Sequence, residues 1–199
     1  MDEFRAPWED EPDRWVMEYK GLTIWATRNP HTKAWCGYVE IPEDHPLYLH
    51  DHHARVFVKD RNNISIEHSN PIAVLFEASK DEDDSVGIDI YLQVHGGITY
   101  MDYAKHLIDA PSDVTWCVGF DCAHFNDISP YLIERYPDLP PLSGAVYRDL
   151  EFVGRELFFL ADQILDFGKA ENFICVKSEA KAQADHEDQL RIRLASNQG

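Results

Sequence analysis

The stretch VYRDLEFVGRELFFLADQILDF, from Val146 to Phe167, carries the strongest secondary-structure pattern in the sequence. Its apolar residues recur alternately four and three positions apart, which forms one stripe along a helix. They are Val146, Leu150, Val153, Leu157, Leu160, Ile164 and Phe167. Ser143 can cap the start of this helix, and Gly168 suits its end. Because a single stripe of this length is typical of a helix that packs on a sheet, we predict that role rather than a coiled-coil zipper.

Alternation of apolar and polar residues predicts the sheet on which this helix packs. Period two is clearest from Val86 to Val94 and recurs in Trp116, Val118 and Phe120, and it indicates strands with one buried face. Further strands are predicted at Trp15–Tyr19 and Leu22–Ala26, joined as a hairpin by Lys20-Gly21, and at Ala34–Ile41, Arg55–Val58, Ile64–Glu67 and Ile72–Phe76. Short helices are predicted at Tyr103–Ile108 and Ile128–Tyr136.

Together these elements predict an α+β fold in a single domain, with a mainly antiparallel or mixed sheet covered by one long C-terminal helix. We place the domain at residues 14–170, because no repeat or boundary interrupts that range. Residues 1–13 are rich in acids and prolines and are predicted to form an acidic flexible tail, with Phe4 and Trp8 as anchors. Residues 171–199 are predicted to form a polar tail or a frayed helix.

The charge balance narrows the classes of partner. The chain has 199 residues, with 18 Lys and Arg against 36 Asp and Glu, for a net charge of −18. A phosphate-backbone binder needs basic residues, so we do not expect direct binding of nucleic acid. No uncharged apolar run approaches the roughly 18 residues of a membrane-spanning helix. The acidic start does not resemble an export signal, so we expect a cytoplasmic protein whose four cysteines are reduced thiols.

Two polar segments that follow predicted strands are the candidate site. The first is VHGGITY, residues 94–100, in which Gly96 and Gly97 allow close approach of a ligand and Thr99 lies next to them. The second is GFDCAHFND, residues 119–127, which gathers carboxylates, a thiol and an imidazole. If the two strands are neighbours, Asp121 lies within hydrogen-bonding reach of His95 and holds it as a general base.

This geometry assigns roles to individual residues. The predicted catalytic residues are His95 as general base, Asp121 as its partner, and His124, which polarises the substrate or holds a metal. The predicted ligand-binding residues are His45, Gly96, Gly97, Thr99, Cys122, Asp127 and Arg148. Arg148 lies near a helix N-terminus, where it can bind an anion, although a surface pair with Asp149 or Glu151 is favoured over this.

Metal and thiol chemistry are open alternatives at the same segment. Asp121, Cys122, His124 and Asp127 are suitable ligand types for a divalent ion, but their spacing is not that of a zinc finger, and the chain has no CxxC or HExxH motif. Cys122 could act as a nucleophile beside His95 or His124 only if its thiol pKa were lowered, whereas a buried cysteine is usually inert.

A histidine-rich loop, residues 45–53, is a second place where an ion could bind. It contains His45, His50, His52 and His53. An exposed loop without an ion gives the same composition, and the His45-Pro46 turn could instead direct His45 toward the pocket.

Several motifs together resemble a family of uncharacterised proteins encoded by bacteriophages and prophages. The specific ones are VHGGITY and GFDCAH, with CGYV at 36–39, HPLY at 45–48 and YRD at 147–149 around them, and the resemblance spans roughly residues 34–165. It implies expression in a bacterial cytoplasm during infection and an accessory or counter-defence role. It implies no catalytic residue.

Two functions of different classes follow from these observations. In the first, the pocket binds or hydrolyses a small polar ligand, with a nucleotide-derived molecule as one option. In the second, the chain is a non-enzymatic inhibitor of a host protein and imitates nucleic acid through the acids of its tail and of Asp81–Asp84.

Overall fold

The fold is α+β, with a five-stranded sheet, a three-stranded sheet and a C-terminal helix. A computed structural model describes residues 6–57, 74–75, 85–113, 115–138, 140–167 and 175–176. The strands are β1 (Arg14–Tyr19), β2 (Leu22–Arg28), β3 (Trp35–Glu40), β4 (Arg55–Phe57), β5 (Ser85–Gly87), β6 (Tyr100–Tyr103), β7 (Trp116–Asp121) and β8 (Cys175–Val176). The α-helices are α1 (Ile88–Tyr91), α2 (Pro130–Arg135) and α3 (Leu150–Asp166), and short 3-10 helices lie at Pro7–Asp10 and Ala104–His106. Among these described helices, none is long and apolar enough to cross a membrane.

The large sheet is antiparallel throughout, in the order β1-β2-β3-β7-β6. The predicted hairpin is confirmed: β1 pairs with β2, and Lys20 and Gly21 between them both have positive φ, at 50° and 89°. This pair of conformations is that of a type I′ turn, which matches the twist of the two strands. The small sheet has the order β5-β4-β8.

Alternation along β3 and β7 gives the large sheet two different faces. On one face, Trp35, Val118 and Phe120 join a large apolar core with residues of α3 such as Leu157. On the other, Cys36, Tyr38, Trp25, Ala104 and Cys117 form a separate, smaller apolar cluster. The side of the sheet on which a residue lies therefore decides whether it can reach α3.

Helix α3 packs against β2 and β3, as its apolar stripe predicts, but it begins later than expected. The cap is Asp149 rather than Ser143, and its carboxylate accepts a hydrogen bond from the Phe152 N–H at 2.7 Å. Val146 precedes the helix and is 48 % exposed. Its backbone instead pairs with the segment after β7, through the Ile128 N–H and the Asn126 carbonyl. Gly168 lies outside the described residues.

The strand predicted at Val86–Val94 is wrong beyond Gly87. The residues at even positions are buried as the alternation requires, but the chain turns into α1, with the Leu92 N–H bonded to the Ile88 carbonyl at 2.9 Å. After the turn, the Gln163 side chain on α3 bonds to both the N–H and the carbonyl of Gln93, at 2.8 and 2.6 Å. The Gln163 amide thus takes the hydrogen bonds that a neighbouring strand would provide. The chain can therefore leave the small sheet after β5 and reach α3.

The acidic N-terminal segment is attached to the body of the protein at Glu11. Its carboxylate bonds to the Arg28 guanidinium at 2.6 Å, to the Leu150 N–H at 2.9 Å and to the Tyr147 hydroxyl. Burial opposes the charge on Glu11, but these bonds outweigh it and lower its pKa. In residues 6–13, part of the predicted tail, Glu11 therefore contacts the body of the protein in addition to the predicted anchor Trp8, whose indole N–H bonds to Glu134. Several segments named in the sequence analysis lie outside the described residues: Phe4, Ile64–Glu67, Asp81–Asp84 and residues 177–199. Val74 and Leu75, part of the predicted strand Ile72–Phe76, are helical.

Candidate functional site

Asp127 is the centre of a polar cluster between the segment after β7 and the start of α3. Its Oδ1 accepts a hydrogen bond from Arg148 Nε at 2.8 Å. Its Oδ2 lies 2.8 Å from His95 Nε2 and accepts a further bond from the His124 N–H at 3.1 Å. The carboxylate is only 1 % exposed. We call Asp127, His95, His124 and Arg148 the Asp127 cluster.

The backbone around Asp127 brings the members of the cluster together. The Asp127 N–H bonds to the His124 carbonyl at 2.9 Å and closes a tight turn. An isolated bridge pairs Asp127 with Val146, which places Arg148 beside the carboxylate. Two side chains one turn apart on α3 then fix His95. Glu156 accepts a hydrogen bond from the His95 backbone N–H at 2.8 Å, and the Phe152 ring lies edge-on to the imidazole.

The electrostatics of the cluster keep Asp127 ionised. Burial alone would raise its pKa, but hydrogen bonds from His95 and Arg148 outweigh burial and lower it. An ionised carboxylate is only an acceptor, so in the neutral imidazole Nε2 carries the hydrogen and Nδ1 carries the lone pair. Within the described residues, Nδ1 of His95 has no hydrogen-bond partner.

Gly96 makes room for His124. A Cβ built at Gly96 would overlap the Nε2 end of the His124 ring, and Gly96 also has a positive φ of 70°. The next residue, Gly97, has a φ of 87°. The two imidazoles of His95 and His124 lie with their centres 5.3 Å apart. His124 Nε2 is buried and has no hydrogen-bond partner among the described residues.

An apolar cavity of about 680 Å³ adjoins the cluster, with His124 and Asp127 in its wall. Its apolar lining includes Ile128, Leu132, Ile133, Pro140, Pro141 and Leu142. This volume is in the range of sites that bind small molecules. The side chains of Phe125 and Leu142 at this cavity are 79 % and 53 % exposed, so it is open to ligands from solvent.

The predicted pairing of His95 with Asp121 is wrong, because the two residues lie on opposite faces of the large sheet. Asp121 is opposite Cys36 in the β3–β7 register and lies on the face of the smaller apolar cluster. Its carboxylate accepts the Ala123 N–H at 2.9 Å. His95 contacts α3 on the other face. Thr99 lines a separate cavity of about 360 Å³ together with Asp121, and not the Asp127 cluster.

Cys122, predicted as a ligand-binding residue, lies in the protein interior. It is 2 % exposed and belongs to the large apolar core. Burial raises the pKa of its thiol, which is the opposite of what a nucleophile needs. Burial likewise raises the pKa of Cys36 to about 11. Burial and the raised thiol pKa argue against a reactive Cys122.

His45 is also separate from the cluster. Its Nε2 lies 2.9 Å from the Ile164 carbonyl, and its Nδ1 accepts the Leu47 N–H at 3.0 Å. Ile164 is eight residues beyond Glu156 on α3, a distance of about 12 Å at ~1.5 Å per residue. His45 thus contacts the C-terminal part of α3 and lies away from His95.

Sequence reasoning assigned Arg148 to the site but gave it the wrong partner. Arg148 pairs with Asp127, whereas Asp149 caps α3 and Glu151 pairs with Arg155 at 2.7 Å. It also missed Phe152 and Glu156. Their spacing of four residues places them on one side of α3, but only the course of the chain after Gln93 shows that His95 lies there.

Comparisons with protein-family models, with curated proteins and with solved structures found no match.

Proposed function

We propose that the protein binds a small molecule at the Asp127 cluster and hydrolyses it, with His95 as the general base. The observation that carries this proposal is the buried Asp127 carboxylate, which orients His95 through Nε2 and leaves Nδ1 as its basic atom. A ligand would place its polar, reacting group at His95 and His124 and an apolar part in the adjoining cavity.

The proposed reaction is the addition of water to an ester or a phosphoester. The water oxygen bonds to the carbonyl carbon or to phosphorus while His95 Nδ1 takes a proton from the water. The bond to the leaving oxygen then breaks, and that oxygen receives the proton from His95. Asp127 stabilises the imidazolium that forms, Arg148 holds the second oxygen of Asp127, and His124 polarises the reacting group.

The biological setting that we propose comes from the sequence motifs. The resemblance to bacteriophage and prophage proteins supports an accessory or counter-defence role in the cytoplasm of an infected bacterium, within a single domain covered by α3.

The test is hydrolysis of three chromogenic probes: p-nitrophenyl acetate, p-nitrophenyl phosphate and bis(p-nitrophenyl) phosphate. We expect turnover of at least one probe and a loss of about 100-fold or more in His95→Ala, because general-base catalysis contributes about 10²–10⁴. The matched control is Asp121→Ala, which removes a carboxylate outside the cluster and should keep the wild-type rate. If the folded wild-type protein hydrolyses none of the probes, or if Asp121→Ala loses as much as His95→Ala, this function is rejected.

A further inference from the structure

We infer that His95, His124 and Asp127 form a binding site for one divalent transition-metal ion. Each of the three side chains offers one ligand atom, and these atoms all lie within 4.8 Å of one another. The residues come from two segments that are 32 positions apart at their ends, so the juxtaposition is produced by the fold and not by a local sequence motif.

The spacing requires a moderate adjustment to close around an ion. Bonds of about 2.1 Å at tetrahedral angles place ligand atoms about 3.4 Å apart. Atoms at the 4.8 Å limit would therefore approach one another by up to about 1.4 Å. His95 Nε2 and Asp127 Oδ2, now at 2.8 Å, would separate by about 0.6 Å.

The unpartnered nitrogen of His124 points to the same conclusion. Buried polar atoms in proteins nearly always have a hydrogen-bond partner, and leaving one without costs free energy. Among the described residues, His124 Nε2 is buried without one. Gly96, by lacking a Cβ, allows the ring to take this position. A metal ion beside His124 would satisfy this nitrogen.

The donor set selects the class of ion. Two imidazoles and one carboxylate suit Zn²⁺, Fe²⁺, Co²⁺ or Ni²⁺, whereas Mg²⁺ and Ca²⁺ prefer oxygen ligands throughout. Three protein ligands leave coordination positions open for water or a ligand. Arg148 already holds the second oxygen of Asp127 and so orients the carboxylate, as outer partners do in metal sites.

The metal site shares residues with the proposed hydrolase but does not depend on it. His95 is the proposed base of the ion-free protein; an ion bound to His95 would exclude this role, and the attacking water would be activated by the ion instead. Metal binding is measured without any substrate. A protein that binds metal but hydrolyses no probe contradicts the hydrolase and not the metal site, and the reverse result contradicts the metal site alone.

The test is a titration of the chelator-treated full-length protein with Co²⁺ and Zn²⁺, followed by calorimetry and by the visible absorption of bound Co²⁺. We expect one ion per chain, and no comparable binding of Mg²⁺. His95→Gln, His124→Gln and Asp127→Asn should each weaken binding by more than about 100-fold, and Arg148→Gln by about 10–100-fold.

The matched control is the double variant His52→Ala/His53→Ala, which removes two exposed imidazoles that lie next to each other in the histidine-rich loop. It should bind the ion as wild type does. In the wild-type protein, Co²⁺ should perturb the ring NMR signals of His95 and His124 before those of His52 and His53, a readout that depends on no variant. Perturbation of His52 and His53 first, or no binding by folded wild-type protein, overturns the inference.

Discussion

Asp127→Ala is expected to lower the free energy of unfolding by about 3 kcal/mol or more and to abolish both hydrolysis and metal binding. The carboxylate accepts three hydrogen bonds, from Arg148, His95 and the His124 N–H. Alanine leaves all three donors without their acceptor, and Arg148, whose side chain is 23 % exposed, would keep a charge without its partner. The loss therefore exceeds that of an exposed ion pair.

Urea unfolding of wild type, Asp127→Ala and Asp121→Ala measures this difference. Asp121→Ala is the suitable comparison because, among the described residues, its carboxylate accepts only the local Ala123 N–H, so we expect a loss of about 1 kcal/mol. Equal losses of unfolding free energy in the two variants would show that the hydrogen bonds of Asp127 stabilise the fold no more than that of Asp121.

Gly96→Ala is expected to remove the activity that depends on His124 while most of the fold survives. The new Cβ would overlap His124 Nε2, so the ring must leave its position next to His95. We expect metal binding and hydrolysis to fall by more than about 10-fold, and the positive φ of Gly96 to cost about 1–2 kcal/mol of stability in addition.

The backbone cost can be separated from the displacement of His124 with Gly21→Ala. Gly21 has a similar φ of 89°, and a Cβ there would have nothing within 4 Å. It should lose stability to a similar extent but keep metal binding and hydrolysis. If Gly96→Ala keeps wild-type metal binding, the position of His124 beside Gly96 is not needed for the site.

Local patterns predicted the elements whose partners are local or periodic. The Lys20-Gly21 hairpin and the strand at Trp116–Phe120 follow from turn chemistry and alternation, and the stripe of α3 follows from helical spacing. The prediction of a strand up to Val94 is wrong because burial alternates there although the backbone is not extended. A side chain from a distant helix, Gln163, takes the hydrogen bonds that a neighbouring strand would have provided.

The difference between local patterns and contacts with distant residues also explains which part of the site can be predicted. His95, His124, Asp127 and Arg148 were identified by residue type, and the fold brings these four together. The choice of Asp121 as the partner of His95 assumed that both residues end neighbouring strands. β5 belongs to the small sheet and β7 to the large one, so these strands are not neighbours, and His95 lies beside α3, where Asp127 is available. The acidic-inhibitor alternative and the resemblance to phage proteins stay predictions, and Asp81–Asp84 lies outside the described residues.

The tautomer of the His95 ring tests most directly the central claim that the Asp127 carboxylate orients this ring through Nε2. In ion-free protein, ¹⁵N NMR of the neutral ring should show hydrogen on Nε2 and a bare Nδ1. Asp127→Ala should release this preference, and Asp121→Ala should not. Hydrogen on Nδ1 of His95 in the wild-type protein would contradict the account, because Asp127 would then not be the group that orients the base.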